Sequence, residues 1–336
     1  MHDEQLSIIP KEFYIANMID ERDDRAAVAW LLPASPNGKS PSAKTYPIDL
    51  HGGGLAAIRH FIDRNLPHNA ALRPITVSLK KFMATETASA GSSVEGQVVV
   101  SLSFSLVQDD ELKHLIDYNG AAKYTRTAGP PQEIEPTLRH MIENGIKYFD
   151  RWMNNQAATD IALAKSVKVT FTDHNEKPEG DTIYYSANRP VTWDDFKGKT
   201  PQSRYAAEVY PTIGYEEHVE VNNAVIIVAL DIKVCLPKSA CWVLAGSQSD
   251  YTLNHEQRHF DIAKIAAEHF KQRIKSEKLP VTNYDGYINV DYLDAYREMD
   301  TLQKQYDNET AHGTDRVAQE RWNKKIDKGL RLKTGD

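Results

Sequence analysis

Along residues 74–86, PITVSLKKFMATE alternates apolar and polar side chains, and GQVVVSLSFSLV at 96–107 does so again. Successive side chains of a strand point to opposite faces, so this period of two predicts two strands, each with one buried face. The intervening ASAGSS supplies the small residues of a hairpin turn. Upstream, KEFYIAN and AVAWLL predict short strands, and LAAIRHFIDRNL (55–66) predicts a helix. Downstream, EPTLRHMIENGIKYFDRWMNN (135–155) sets Leu138, Met141, Ile142 and Ile146 at helical spacing behind a proline suited to a first turn.

The pattern changes near residue 165. SVKVTFTD and DTIYYS predict strands, VTWDDF a strand end or short turn, and AVIIVALDIKVCL (224–236) a well-buried strand. Helical periodicity then takes over, at about 248–278, 290–305 and 313–330. The expected fold class is α+β with two domains: sheet and helix over 1–165, then a small sheet followed by helices over 166–336. No fixed-period repeat points to a solenoid or propeller.

Composition removes some functions. A chain of 336 residues, 41% hydrophobic and 26% charged, can bury a core in each of two domains. The net charge of −7 argues against a nucleic-acid partner, which needs a basic surface to displace counterions. The longest wholly apolar run, Ala224 to Leu230, falls well short of the roughly 18 residues of a membrane span. The first thirty residues hold no apolar core of a secretory signal. Cys235 and Cys241, spaced as CLPKSAC, permit a small disulfide loop in an oxidising compartment and cannot form a four-cysteine zinc site.

Chemistry concentrates in NHEQRHFDIAK (254–264). Residues four apart share a helix face, so His255 and His259 can direct two imidazoles at one ion with Glu256 beside it. Zinc held by three protein ligands keeps a water whose pKa falls to about 7, and Glu256 would accept its proton as general base. For the third ligand, His269 is too far: ten residues beyond His259 is about 15 Å along a helix. Asp261 points about 200° away from His259. The remaining candidates lie in QYDNETAHGTDR, where His312 follows His259 by 53 positions (312 − 259). By residue type its imidazole is the first choice, with Asp307 and Glu309 as competing ligands; Asp307 and Thr310 also suit capping or turn roles, with Gly313 ending a helix.

Taken together, RPVTWDDFKGKTP (189–201), NHEQRHFDIAK and YDNETAHG (306–313), followed by Gln319 and Trp322, resemble the predicted secreted zinc-protease family of bacteria, long catalogued as a domain of unknown function. The resemblance covers about the last 170 residues. It implies a zincin-like domain, an extracytoplasmic location, Zn2+ as cofactor, and a peptide or protein substrate. His255, Glu256 and His259 take its metal-site positions, and His312 falls in its downstream histidine motif. Two departures are Arg258, where the family often has glycine, and Lys264, where it often has an acidic residue. The N-terminal half resembles, more loosely, bacterial envelope lipoprotein domains through LIDYNGAAKYTR and the helix ending DRWM; this implies a binding or positioning module with an envelope protein partner. The competing expectation is a non-enzymatic envelope binding protein whose C-terminal domain is structural or a degenerate protease.

Three further signals have plainer readings. His51-Gly52-Gly53-Gly54 before a predicted helix suits a lipase-type oxyanion segment or an anion site at a helix start, but no G-x-S-x-G accompanies it and a turn is the simpler reading. Trp193, Asp194, Asp195 and Phe196 suit a substrate cleft or, more simply, a helix start with core aromatics. Tyr292, Tyr296 and Tyr306 could donate to an oxyanion, but in a chain of 16 tyrosines packing is the default.

Overall fold

The computed structural model describes Leu6 and residues 8–34, 44–90, 93–108, 110–127, 134–177 and 179–331. The fold is mixed α and β with five α-helices, and the chain divides into two compact units, Met1–Ala157 and Ala158–Asp336.

The first unit is built on long antiparallel strands. β4 (Arg73–Ala88) pairs with β5 (Ser93–Gln108), and β5 with β6 (Glu111–Thr127). On the other side of β4 run β1 (Phe13–Asp20) and β2 (Ala29–Leu31), both parallel to it, and β3 (Tyr46–Ile48) pairs with β2. Alternation put one face of β4 and β5 in the core, including Ile75, Val77, Val98, Val100 and Phe104. Helix α2 (Glu135–Gln156) packs there, its Phe149 ring stacked on Phe104 at 4.1 Å. Helix α1 (Gly54–Asn65) packs beside β1. The hairpin between β4 and β5 forms as predicted; its Gly91 and Ser92 lie outside the described residues. The strand β6 escapes the sequence reading because its surface is largely exposed and its apolar alternation weak.

The second unit holds a small sheet in the order β10 (Thr212–Asn222), β11 (Val225–Pro237), β7 (Ser166–Asp173), with β8 (Thr182–Tyr184) on the far end of β11. β11 buries every second residue, Ile226, Val228, Leu230, Ile232, Val234 and Leu236, so one face is buried rather than both. A two-stranded ribbon joins β9 (Ala207–Glu208) to β12 (Trp242–Val243). Against the sheet lies α3 (Asp250–Ser276), through Phe260, Ala263, Ala267, Phe270 and Ile274. Helices α4 (Tyr284–Thr310) and α5 (Arg316–Arg331) flank α3.

Helix α3 starts where Ser249 accepts a hydrogen bond from the Thr252 N–H and Asp250 meets the positive helix end; Arg273 and Lys275 sit at the opposite end. The 192–196 segment is a single 3-10 turn in which Asp195 accepts from Thr192 and is clasped by Arg189 at 2.7 and 2.8 Å. Cys235 and Cys241 are free thiols, and burial pushes Cys241 up to about 11.

Candidate metal centre

From the HEQRH stretch of α3, His255, Glu256 and His259 line a cleft and are all buried, at 5%, 3% and 8% exposure, while Gln257 and Arg258 turn to other partners. Facing the cleft residues is one stripe of α4: Gln303, Tyr306 and Asp307, at helical spacings of three and four. Among the described residues, His255, His259 and Asp307 form a group that could hold a metal ion. Asp307 Oδ1 lies 3.3 Å from His255 Nε2 and 3.1 Å from His259 Nε2.

The outer contacts fix what those atoms are. His255 Nδ1 lies 2.9 Å from Gln319 Oε1, and His259 Nδ1 lies 2.5 Å from Gln303 Oε1. Each amide is oriented by its own donor: Gln303 Nε2 donates to the His259 carbonyl at 2.9 Å, and Gln319 Nε2 to Asn323 Oδ1 at 3.0 Å and to the Tyr306 hydroxyl. An amide oxygen can only accept, so each neutral imidazole carries its proton on Nδ1 and its lone pair on Nε2. Neither ring aims an N–H at Asp307 with hydrogen-bond geometry, and Asp307 Oδ1 is a buried oxygen without a hydrogen-bond partner. Two imidazole nitrogens and one carboxylate oxygen therefore face one another within reach of a single cation. A buried acceptor left without a partner, as Asp307 Oδ1 is, is costly, and a cation held among the three atoms satisfies it.

The same three groups are electrostatically coupled. Burial alone would raise the Asp307 carboxyl, but the two imidazoles hold it well below the usual carboxylate range. At His259 burial opposes the charged form, and the Asp307 carboxylate outweighs it, raising the imidazole. Burial raises Glu256 against the pull of both histidines, which makes it a readier proton acceptor than an exposed carboxylate.

Tyr306 is fully buried beneath the pair, 4.8 Å from His255 in a stacked arrangement and 4.9 Å from His259 edge-on, and burial drives its hydroxyl pKa far upward. It supports the rings rather than facing the cleft. The cleft itself, about 160 Å³, is lined by His255, Glu256, His259, Asp307, His312 and a wall that includes Tyr205 and Glu208 of the β9 segment.

His312 stands at the edge of the trio. Its Nδ1 is 3.5 Å from Asp307 Oδ1 and its ring stacks on Tyr205 at 4.0 Å. Ala311, His312 and Gly313 have φ of 47°, 50° and 75°, a left-handed run that turns the chain from α4 toward the cleft. The other sequence candidates go elsewhere. Glu309 is exposed and accepts from Trp322 Nε1 at 2.7 Å and Gln305 at 2.7 Å. His269 meets Glu298, and Asp261 accepts from the Tyr185 hydroxyl, Gln257 and Arg258. Arg258 also reaches Asp327 at 2.7 Å and so ties α3 to α5. Trp193–Phe196 do not line the cleft. Tyr292 donates to the Ile213 carbonyl and Tyr296 is exposed. Gln319 entered the sequence reading only as part of the family resemblance, without a role, and Gln303 not at all; the signal that could have found Gln303 is its place three and four residues before Tyr306 and Asp307. Compared with known families and with curated proteins, the chain finds no match.

Proposed function

We propose that the second unit is a zincin-like, zinc-dependent metallohydrolase acting on peptide bonds, with His255, His259 and Asp307 as ligands and Glu256 as general base. The observation that carries this reading is the set of three converging acceptors, two of them locked by glutamines with their lone pairs inward. Two imidazoles and one carboxylate are a donor set of catalytic zinc sites. Bound there, zinc supplies Lewis acidity and brings the pKa of its water to about 7. Glu256, raised by burial and opening on the cleft, takes up a proton and delivers it to the departing amine. His312 faces the open side of the cleft and contacts substrate rather than completing the trio. The proposal extends to an extracytoplasmic setting and to an envelope protein partner for the first unit; no helix among the described residues is long and apolar enough to cross a membrane.

The test is zinc content after chelator-free preparation and reconstitution, with peptide hydrolysis measured in parallel. Wild type and Glu256→Gln should hold one equivalent, His255→Ala and Asp307→Ala should lose it, and His312→Ala should keep zinc while losing turnover. Absence of zinc in the wild type overturns the reading. Loss of zinc in His312→Ala returns that residue to the ligand set, and a zinc-loaded wild type inert across a peptide library favours a binding protein with a degenerate protease domain.

A further inference from the structure

At the start of α1, the first unit gathers hydrogen-bond donors without protein acceptors. Gly52 and Gly53 have φ of 80° and 94°, which glycine adopts without strain, and the Gly53 N–H donates to the Leu50 carbonyl at 2.8 Å. The helix has no side-chain cap and no acidic residue in its first turn. Its leading amides are therefore unpaired and carry the positive end of the helix dipole.

Beside them lies Arg22, only 5% exposed. Its Nε and Nη2 donate to Asp20 at 2.9 and 2.8 Å, which fixes the guanidinium plane, while Nη1 is buried without a hydrogen-bond partner. A Cβ built on Gly54 would stand 3.1 Å from Nη1, 3.2 Å from Nη2 and 2.7 Å from Val28 Cγ1. Glycine thus lets the helix start close onto the guanidinium. Asp20 balances the charge of Arg22, but the Nη1 donor beside the helix start is left without an acceptor, and a buried donor is costly until an acceptor reaches it. His51 and Gly52 are exposed, so the loop is open to solvent on that side.

The surrounding charges select the ligand. Asp20 already neutralises one edge of Arg22, and Asp49 lies close, its Oδ2 3.8 Å from the Cβ position of Gly53 and its Oδ1 accepting from the Leu50 N–H at 2.8 Å. Two carboxylates nearby repel a dianion more than a monoanion. We propose that Arg22 Nη1 and the leading amides of α1 form a binding site for a single carboxylate group, one oxygen on the guanidinium and the other on the helix amides. The carboxylate belongs to a small organic acid or to an acidic peptide, and the site is independent of zinc.

Full-length, isotope-labelled protein titrated with sodium acetate at constant ionic strength tests this by amide resonance shifts; an acidic peptide and its amidated, neutral counterpart distinguish the sources. Saturable shifts at Gly54, Leu55 and Ala56 are expected, weaker with inorganic phosphate, and absent in Arg22→Met. Should Arg22→Met fail to fold, Asp49→Asn decides: it leaves the guanidinium in place and removes a like charge, so acetate should bind about three-fold tighter or more. Shifts linear in acetate, saturation surviving in a folded Arg22→Met, unchanged affinity in Asp49→Asn, or phosphate binding tighter than acetate overturns the assignment.

Discussion

Gln303 and Gln319 each give an imidazole Nδ1 an acceptor, and each is itself held by a donor contact. Outer partners of this kind set the tautomer and aim of a ligating histidine, and their loss costs about 10–100-fold in metal affinity. Gln319→Leu should weaken zinc by that factor in chelator competition, whereas Gln319→Glu, which keeps an acceptor, should not; equal affinity in wild type and Gln319→Leu would remove the glutamine from the site. Glu256→Gln should leave zinc affinity near wild type and slow hydrolysis by about 10²–10⁴-fold, the usual weight of a general base. His255, Glu256 and His259 were legible in sequence because four-residue spacing on one helix is local geometry. The choice among His312, Asp307 and Glu309 was not, because it depends on how a segment some fifty residues away is rotated about its own axis.

That rotation is a property of α4. The sequence reading ends this helix near 305, which leaves Asp307 in a turn; the structure carries it to Thr310, which puts Asp307 on the same face as Gln303 and Tyr306. The last turn lacks a strong apolar period, so tertiary packing against α3 decides it. The left-handed run that follows makes Gly313 a point of control. At its φ of 75° an added Cβ would also lie 3.0 Å from His255 Cγ. Gly313→Ala should cost about 1–3 kcal/mol of stability and lower zinc affinity, read by thermal unfolding with and without zinc; an unchanged Tm would show that the turn tolerates a side chain. On the other side of α3, Lys264 and Lys271 bind Asp173 of β7 and Glu268. Burial would raise both carboxyls, but the lysine hydrogen bonds outweigh it and hold them below 3.8 and 4.5; burial likewise opposes the Lys271 charge, and its partners raise it above 10.5. Depressed carboxyls stabilise the fold above their unfolded pKa and lose that contribution as pH falls through the folded value. The raised lysine contributes below its unfolded pKa and loses it as pH rises through the folded one. The network is thus at full strength between about pH 5 and 10. Asp173→Asn should lower Tm at pH 7, with the gap from wild type closing as pH drops below 3.8; a gap independent of pH would mean the residue acts by packing alone.

At the scale of the molecule, every residue of the candidate metal centre lies in Ala158–Asp336, and that unit has its own core from Ile226 and Val228 through Phe260, Phe270 and Met299. A fragment of residues 158–336 should therefore fold cooperatively and bind zinc with the stoichiometry and affinity of the full chain. Loss of zinc in a folded fragment would show that the first unit contributes to the site. The first unit has separate polar anchoring, with buried Glu86 accepting from Arg126, Tyr124 and the Leu32 N–H. The carboxylate site proposed at α1 belongs to that unit, so acetate and zinc should bind without affecting one another.

By itself the sequence determined the α+β class, the long β4–β5 hairpin, the existence of strand β11 and the helix bearing His255, Glu256 and His259, because periodicity and ligand spacing act over neighbouring residues; that β11 buries only one face came from the structure. The exposed strand β6 and the charged strand β10 left too faint an apolar alternation for that signal. Only the tertiary structure decided that Asp307 meets the two histidines, that two glutamines turn their lone pairs inward, and that a buried arginine lies beneath a glycine-rich helix start. Each of these is a contact between segments far apart in the chain, fixed by which helix face or loop the packing turns inward, and composition and spacing carry no record of that rotation.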